Sequence, residues 1–172
     1  GLKYKGGFFY DLFHDEEIIT LEAMLQRFAT YQELPVLHLD LRNYTLNRHS
    51  YYAQTVLDLL QKYKYPFSKL MFISADPMLL ESFRALNPQA PLMLDVDGDF
   101  ETALNQALQH RFTGICADGK KISFEQVQKA KKQGLQVVLF GGKSRSTLVK
   151  LIELQPDAIQ VNNVATLVDL LK

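Results

Sequence analysis

The stretch VLHLDLR, residues 36–42, belongs to the first of six short apolar runs that alternate with helical patterns along this chain. After the first gap, the centres of the runs recur about every 22 residues, the length of one strand, one helix and two tight loops. A strand that returns parallel to its neighbour needs a crossover of that kind. The repeat therefore predicts an α/β fold of consecutive β–α units, which we interpret as a TIM-type (β/α) barrel. The runs cover residues 35–41, 70–75, 92–96, 114–117, 136–140 and 158–162.

The number of runs predicts an incomplete barrel. A closed barrel of this type needs eight β–α units, whereas the sequence supplies six and a leading helix. The alternative is an open α/β sheet, but the glycine-rich first turn of a dinucleotide-binding sheet is missing. Gly141-Gly142-Lys143-Ser144 lacks P-loop spacing, so we interpret it as a strand-to-helix turn with a capping serine. We predict one domain over residues 1–172, an incomplete barrel of about six parallel strands.

Helix start signals support the same count. Ser123 and Gln126 form a capping box, and Asp76 with Pro77 places a capping side chain before a proline at the first helical position. Apolar residues at helical spacing follow each signal. The predicted caps or first residues are Thr20, Ser50, Asp76, Asp99, Ser123, Ser144 or Ser146, and Thr166.

Composition argues against several classes of protein. The 172 residues are 47% hydrophobic, and 19 basic residues balance 19 acidic ones. This balance argues against nucleic acid or an anionic membrane as the main partner. No apolar run approaches the roughly 20 residues of a membrane span. A single cysteine excludes a disulfide framework and a thiolate metal cluster.

The first strand carries the candidate chemistry. Because side chains alternate along a strand, the leucines of residues 36–42 face the helices, while His38, Asp40 and Arg42 face the barrel interior. Asp40 and Arg42 then form either an internal ion pair or a ligand-facing pair at the strand's C-terminal end. In the second interpretation Asp40 supplies an oxygen ligand to a hard divalent cation, and Arg42 holds a phosphate.

The other polar residues are assigned structural roles, with one alternative left open. Asp95 and Asp97 end the third strand and could add oxygen ligands, or form a turn and an N-cap. His38 is interpreted as a satisfied core histidine, Cys116 as a small buried hydrophobe, and Asp118 as a turn residue. We expect two histidines to be solvated and five lysines to form a solvated helix face. These residues are His49, His110, Lys120, Lys121, Lys129, Lys131 and Lys132.

Several stretches share their spacing with the motifs of one enzyme family. ITLEAML at residues 19–25 resembles I-P-T-L-E-E-x-L, and residues 39–42 lie where the family has a metal-binding Glu and a phosphate-binding Lys two positions later. GLQVVLFG at residues 134–141 resembles G-x-x-V-x-V-W-T, and PDAIQVN at residues 156–162 resembles V-D-G-I-x-T-D. With the strand end at residues 74–75, these motifs resemble the C-terminal three-quarters of a glycerophosphodiester phosphodiesterase.

The resemblance implies both an activity and the roles of residues. It implies an eight-stranded barrel, a hydrolase of lipid metabolism that converts a small-molecule phosphodiester to glycerol 3-phosphate and an alcohol. It also implies a divalent cation, calcium or magnesium, and two histidines as general acid and base. On this basis Asp40 is expected to bind the metal and Arg42 the phosphate of the substrate.

The chain departs from the family at its N-terminal end. The family's His-Arg and Glu-x-Asp motifs are not found, and we expect them upstream of Gly1 or lost. His14, followed by Asp15, is the candidate for the third motif and hence the one candidate catalytic residue; the alternative is an ordinary N-terminal turn, because the gap to residues 19–25 is shorter than in the family. We therefore expect the 172 residues alone to be poorly active. The alternative is a degenerate, non-catalytic barrel that binds a phosphorylated ligand or a protein, which the replacements at Ala75, Phe140, Val161 and Asn162 favour.

An incomplete barrel also exposes two sheet edges, which proteins normally cover or pair. We expect the aromatic segment at residues 4–10, or a second copy of the chain in a homo-oligomer, to cover one of them.

Overall fold

The computed structural model describes residues 18–42 and 46–172, and within them six strands alternate with seven α-helices. His14 and the aromatic segment at residues 4–10 lie outside the described residues. The strands are β1 (Leu37–Asp40), β2 (Leu70–Ser74), β3 (Leu92–Asp95), β4 (Gly114–Asp118), β5 (Gln136–Gly142) and β6 (Ala158–Val161). The α-helices are α1 (Leu21–Phe28), α2 (His49–Lys62), α3 (Pro77–Leu86), α4 (Phe100–Gln109), α5 (Phe124–Lys132), α6 (Arg145–Glu153) and α7 (Val164–Leu170). Two 3-10 turns, Leu46–Arg48 and Phe67–Lys69, precede α2 and β2.

The sheet has the strand order of a barrel. All neighbouring strands are parallel, and their order in space is their order in sequence, from β1 to β6. An open doubly wound sheet would instead reverse its order at a switch point. The six strands curl around a common interior as an incomplete TIM-type barrel, which confirms the predicted fold class. Among the described residues, β1 and β6 are each paired on one side only.

The core lies on both faces of the curled sheet. The larger cluster packs between strands and helices and includes Leu37, Leu41 and Phe72, whose ring lies 4.7 Å from that of Phe83. A smaller cluster fills the interior from four adjacent strands, where no helix contributes. Its members are Ile73, Met93, Cys116 and Val138. The leucines of β1 therefore face the helices, as the alternation of VLHLDLR predicts.

Most helix starts agree with the sequence. Thr20, Asp76, Asp99, Ser123 and Ser144 all accept hydrogen bonds from the first turns of their helices.

The start predicted at Thr166 is wrong by two residues. The Asn163 side chain accepts a hydrogen bond from Thr166 N at 3.1 Å and starts α7 at Val164. Helix α2 likewise begins one residue earlier than predicted, at His49. In the described parts of the chain, every helix is too short or too polar to cross a membrane.

Candidate functional site

A cavity of about 490 Å³ opens at the C-terminal ends of the strands. We refer to this cavity as the cleft. Every strand contributes to its wall, because the sheet curls around it. The strand residues that line it include Asp40, Ile73, Asp95, Cys116, Phe140 and Gln160. In parallel β/α barrels this end of the strands carries the chemistry, since the βα loops converge there.

Arg42 connects two carboxylates across the mouth of the cleft. Its Nε lies 2.9 Å from Asp40 Oδ1, and its Nη2 donates to Asp40 Oδ2 at 3.0 Å. The same Nη2 donates to Asp95 Oδ2 at 3.3 Å. Asp95 ends β3, so this contact passes over β2. Two strands are therefore joined at the cleft by one guanidinium group, whose side chain remains about half exposed at 52%.

Asp95 is the buried member of this group. Its side chain is only 10% exposed, compared with 53% for Asp40. Burial raises the pKa of the Asp95 carboxyl above its usual value, and the charges of Asp40 and Asp97 act in the same direction. Arg42 opposes this shift without cancelling it. A carboxylate that is costly to ionise therefore depends on a cation at the cleft, for which Arg42 is the described partner.

Ser74 fixes the backbone between Asp40 and Arg42. Its buried hydroxyl donates to Leu41 O at 3.1 Å and accepts from Asp76 N at 3.1 Å. Leu41 N also donates to Ile73 O at 2.7 Å, beyond the last residue of β1. The end of β1 is thus held against β2 by both backbone and side-chain hydrogen bonds.

His38 and Cys116 lie deeper in the interior. The His38 Nδ1 and Gln160 Nε2 atoms form a hydrogen bond of 3.1 Å, and burial lowers the pKa of His38. Burial, followed by the charges of Asp95 and Asp40, raises the pKa of Cys116 to about 12, so the thiol stays protonated. His38 is therefore hydrogen-bonded inside the barrel, and Cys116 behaves as a buried hydrophobe, as predicted.

The expectation that His49 and His110 are solvated is wrong. His49 is buried at the start of α2, with its Nε2 atom 3.4 Å from Asp76 Oδ2 and without hydrogen-bonding geometry. His110 Nδ1 lies 2.9 Å from Glu81 Oε1, and the imidazole ring of His110 stacks on the ring of Phe112. Both residues begin or follow a helix, and the carboxylates that meet them come from the neighbouring β–α unit.

The predicted solvated lysine face is also wrong in part. Lys120 lies in the turn before α5 and lines the cleft, while Lys129 and Lys131 pair with Glu101 and Asp157 at 2.6 and 3.1 Å. The predicted turn at Gly141-Gly142 is instead the end of β5, and Lys143, which follows it, is another cation of the cleft. Lys120 and Lys143 follow the ends of β4 and β5 in the sequence, and this position is the signal that could have predicted that they line the cleft.

The acidic turn residues separate into two groups. Asp97 does not line the cleft, and the N-cap of α4 is Asp99. Asp118 lines the cleft and also forms a turn, because its Oδ1 accepts from Lys120 N at 2.9 Å. Of the open alternatives at the end of β3, only Asp95 therefore faces the candidate site.

The carboxylate oxygens of Asp40 and Asp95 are the kind of ligand that a hard cation prefers, but two carboxylates do not complete its coordination shell. Magnesium is commonly held by one or two carboxylates together with substrate phosphates. Asp40 and Asp95 provide two carboxylates, but Arg42 lies between them. Over residues 18–42 and 46–172, no cluster of three or more His, Cys, Asp or Glu side chains could hold a metal ion.

Comparison with solved structures identifies the fold. A protein from Galdieria sulphuraria, provisionally assigned as a glycerophosphodiester phosphodiesterase, is 23% identical with a TM-score of 0.79, over 88% of this chain and 63% of its own. A glycerophosphodiester phosphodiesterase from Parabacteroides distasonis is 18% identical with a TM-score of 0.76, over 94% and 70%. An Oleispira antarctica phosphodiesterase, solved with its product sn-glycerol-3-phosphate, is 19% identical with a TM-score of 0.70, over 78% and 54%.

These similarities show that the chain has the fold of the glycerophosphodiester phosphodiesterase barrels. The chain spans between 54% and 70% of the length of these three proteins. No protein-family model matches the chain, and no curated protein matches it.

Proposed function

We propose that this chain forms the phosphate-binding part of a hydrolase that splits glycerophosphodiesters into glycerol 3-phosphate and an alcohol. One observation carries the proposal: Arg42 bridges Asp40 and Asp95 at the mouth of a cleft built by all six strands. The likeness to phosphodiesterase barrels supports it at the level of fold.

Arg42 is proposed to bind the phosphate. A guanidinium group presents a planar fork of donors that matches two phosphate oxygens. The contacts with Asp40 and Asp95 hold this fork over the cleft before a ligand arrives. The half-exposed side chain leaves the arginine accessible to an anion from the cleft side.

Asp40, together with Asp95, is proposed to hold a calcium or magnesium ion. Such an ion would neutralise charge on the phosphoryl oxygens and polarise them. Arg42 and the cation compete for the same two carboxylates, so a phosphate that contacts Arg42 would relieve that competition. We therefore expect the binding of a phosphate ester and of a divalent cation to strengthen each other.

The described residues place no histidine in the cleft for the acid–base step. None of the three described histidines lines the cleft, since His49 and His110 face other carboxylates and His38 lies deeper. His14 remains a prediction outside the described residues. We therefore expect this chain alone to hydrolyse glycerophosphodiesters poorly.

Isothermal titration calorimetry with sn-glycerol 3-phosphate tests the proposal. We expect the wild-type chain to bind it and Arg42→Gln to bind about tenfold more weakly, the loss of one charge-assisted hydrogen-bonded pair. Arg27→Gln, which removes an exposed arginine on α1, is the matched control and should bind like the wild type. Equal affinities for the wild type and Arg42→Gln would refute the proposed role.

A second titration separates the enzyme from a non-catalytic barrel. Magnesium or calcium should tighten glycerol 3-phosphate binding to the wild type, but not to Asp40→Asn. Phosphate binding that neither cation affects would favour the alternative, a barrel that binds a phosphorylated ligand without hydrolysing it.

A further inference from the structure

A second cavity of about 380 Å³ adjoins the cleft, and we call it the lysine cavity. It lies between the turn that follows β4, the end of β5 and the face of α6 that carries Thr147, Lys150 and Leu151. The two spaces share Lys120, Phe140 and Gly141, so they meet at the Phe140 ring and the turn before α5. A ligand bound in the cleft could therefore extend into the lysine cavity without leaving the protein surface.

The two spaces differ in charge. The cleft combines its cations with three carboxylates, those of Asp40, Asp95 and Asp118. The charged side chains that line the lysine cavity are Lys120 and Lys150, and no acidic side chain lines it. Within residues 18–42 and 46–172, neither lysine forms an ion pair with a carboxylate. The lining of the cavity is thus positively charged, and the Asp118 carboxylate lies at its border beside Gly141.

Glycine backbones bring the walls of this cavity together. A Cβ atom at Gly119 would lie 1.9 Å from Leu151 Cδ2, so the turn that carries Lys120 packs closely against the Leu151 side chain of α6. Gly141 has φ +107°, and a Cβ atom there would lie 3.0 Å from Asp118 Oδ1. The same Asp118 oxygen accepts from Lys120 N, which fixes the start of the lysine-bearing turn.

We propose that the lysine cavity binds a second anionic group of the ligand whose phosphodiester occupies the cleft. This inference rests on the proposed function and narrows its substrate class to phosphodiesters whose alcohol part carries a phosphate or carboxylate. Lys120 and Lys150 pair with that group. A cationic alcohol such as choline would meet like charge in this position.

Calorimetry with three diesters tests the inference, because the readout is binding and does not depend on turnover. The probes are glycerophosphocholine, glycerophosphoglycerol and the terminal phosphate ester of glycerophosphoglycerol, all at one ionic strength. We expect affinity to rise in that order, with the added phosphate giving about a threefold to tenfold gain over glycerophosphoglycerol. Lys150→Gln should remove most of this gain and leave the affinity for glycerol 3-phosphate unchanged.

Two further variants sharpen the test. Lys120→Gln should also reduce the gain, whereas Lys132→Gln should retain it. Lys132 is an exposed lysine in the last turn of α5, at the opposite end of the barrel from the cleft.

The outcomes distinguish this inference from the proposed function. If glycerol 3-phosphate binds but the added phosphate brings no gain, or if Lys150→Gln retains the gain, the lysine cavity is not an anion site. If no phosphate ester binds at all, both the phosphate-binding cleft and the inference that depends on it are overturned.

Discussion

His38 of β1 and Gln160 of β6 are 122 positions apart in sequence and share a hydrogen bond of 3.1 Å across the barrel interior. They belong to the first and last strands of the sheet, which do not pair with each other among the described residues. Such a contact requires the sheet to curl until its two ends face one another. This hydrogen bond is therefore direct evidence of barrel curvature.

The burial of His38 predicts that stability falls in mild acid. Its pKa is lowered in the folded state, so the unfolded chain binds the proton more readily, and the stability present above the usual value of 6.5 is lost as pH falls toward the lower folded-state pKa. His38→Gln keeps a polar side chain but cannot titrate. We expect urea denaturation between about pH 7 and 5 to show a smaller loss for this variant than for the wild type. Identical pH profiles would contradict the prediction.

Asp95 predicts a pH effect of the opposite sign. Its folded-state pKa is raised, so its contribution to stability is fully present below 3.8 and is lost as pH rises through the folded-state pKa. Asp95→Asn mimics the protonated carboxyl, so we expect its free energy of unfolding at pH 7 to equal or exceed that of the wild type. The advantage should vanish in acid. The control is Glu153→Gln, which removes an exposed carboxylate at the end of α6, and a similar pH-dependent advantage for this variant would argue against burial as the cause.

Ser74→Ala is expected to destabilise the end of β1. The variant removes a buried hydroxyl that serves both Leu41 O and Asp76 N, so we expect a loss of about 1–3 kcal/mol in the free energy of unfolding. The control is Ser82→Ala on α3, where an exposed hydroxyl bonds only Met78 O and the change should stay within about 0.5 kcal/mol. Equal effects of the two variants would show that the Ser74 hydroxyl is not important for stability.

Gly141→Ala is expected to cost more than Gly98→Ala. Both glycines have strongly positive φ, +107° and +116°, so each alanine variant should lose about 1–3 kcal/mol from backbone strain. A Cβ atom added at Gly141 would lie 3.0 Å from Asp118 Oδ1, whereas one added at Gly98 would have no other atom within 4 Å. Thermal or urea denaturation of the two variants compares them, and a larger loss for Gly98→Ala would contradict the packing argument.

The fold was predictable because each β–α unit carries its own signals. Ser123 and Gln126 mark a helix start locally, and the structure contains that capping box. Boundaries were less predictable where a tertiary contact extends an element. Strand β5 continues two residues past Phe140 to Gly142, through a register irregularity against β6, although glycine pairs rarely indicate strand.

The candidate site was predictable where it depends on one strand. The side of β1 that carries Asp40 and Arg42 follows from alternation alone. The contact of Arg42 with Asp95 depends on the registers of two strand pairs, which one sequence does not contain. The contact of His49 with Asp76 likewise joins two β–α units, because Asp76 belongs to the next unit along the chain. The metal-binding and phosphate-binding roles of Asp40 and Arg42 remain predictions.

Because the strands lie in the sheet in their sequence order, the sheet can be extended at either edge. Each described strand pairs only with strands adjacent in sequence, so a further β–α unit can join at β1 or β6 without breaking any existing pair. The unit would need to match one edge strand and the helices beside it, whichever polypeptide supplied it. Closing the barrel then depends only on complementary surfaces at β1 and β6, and the strand pairs between these two edges need not change.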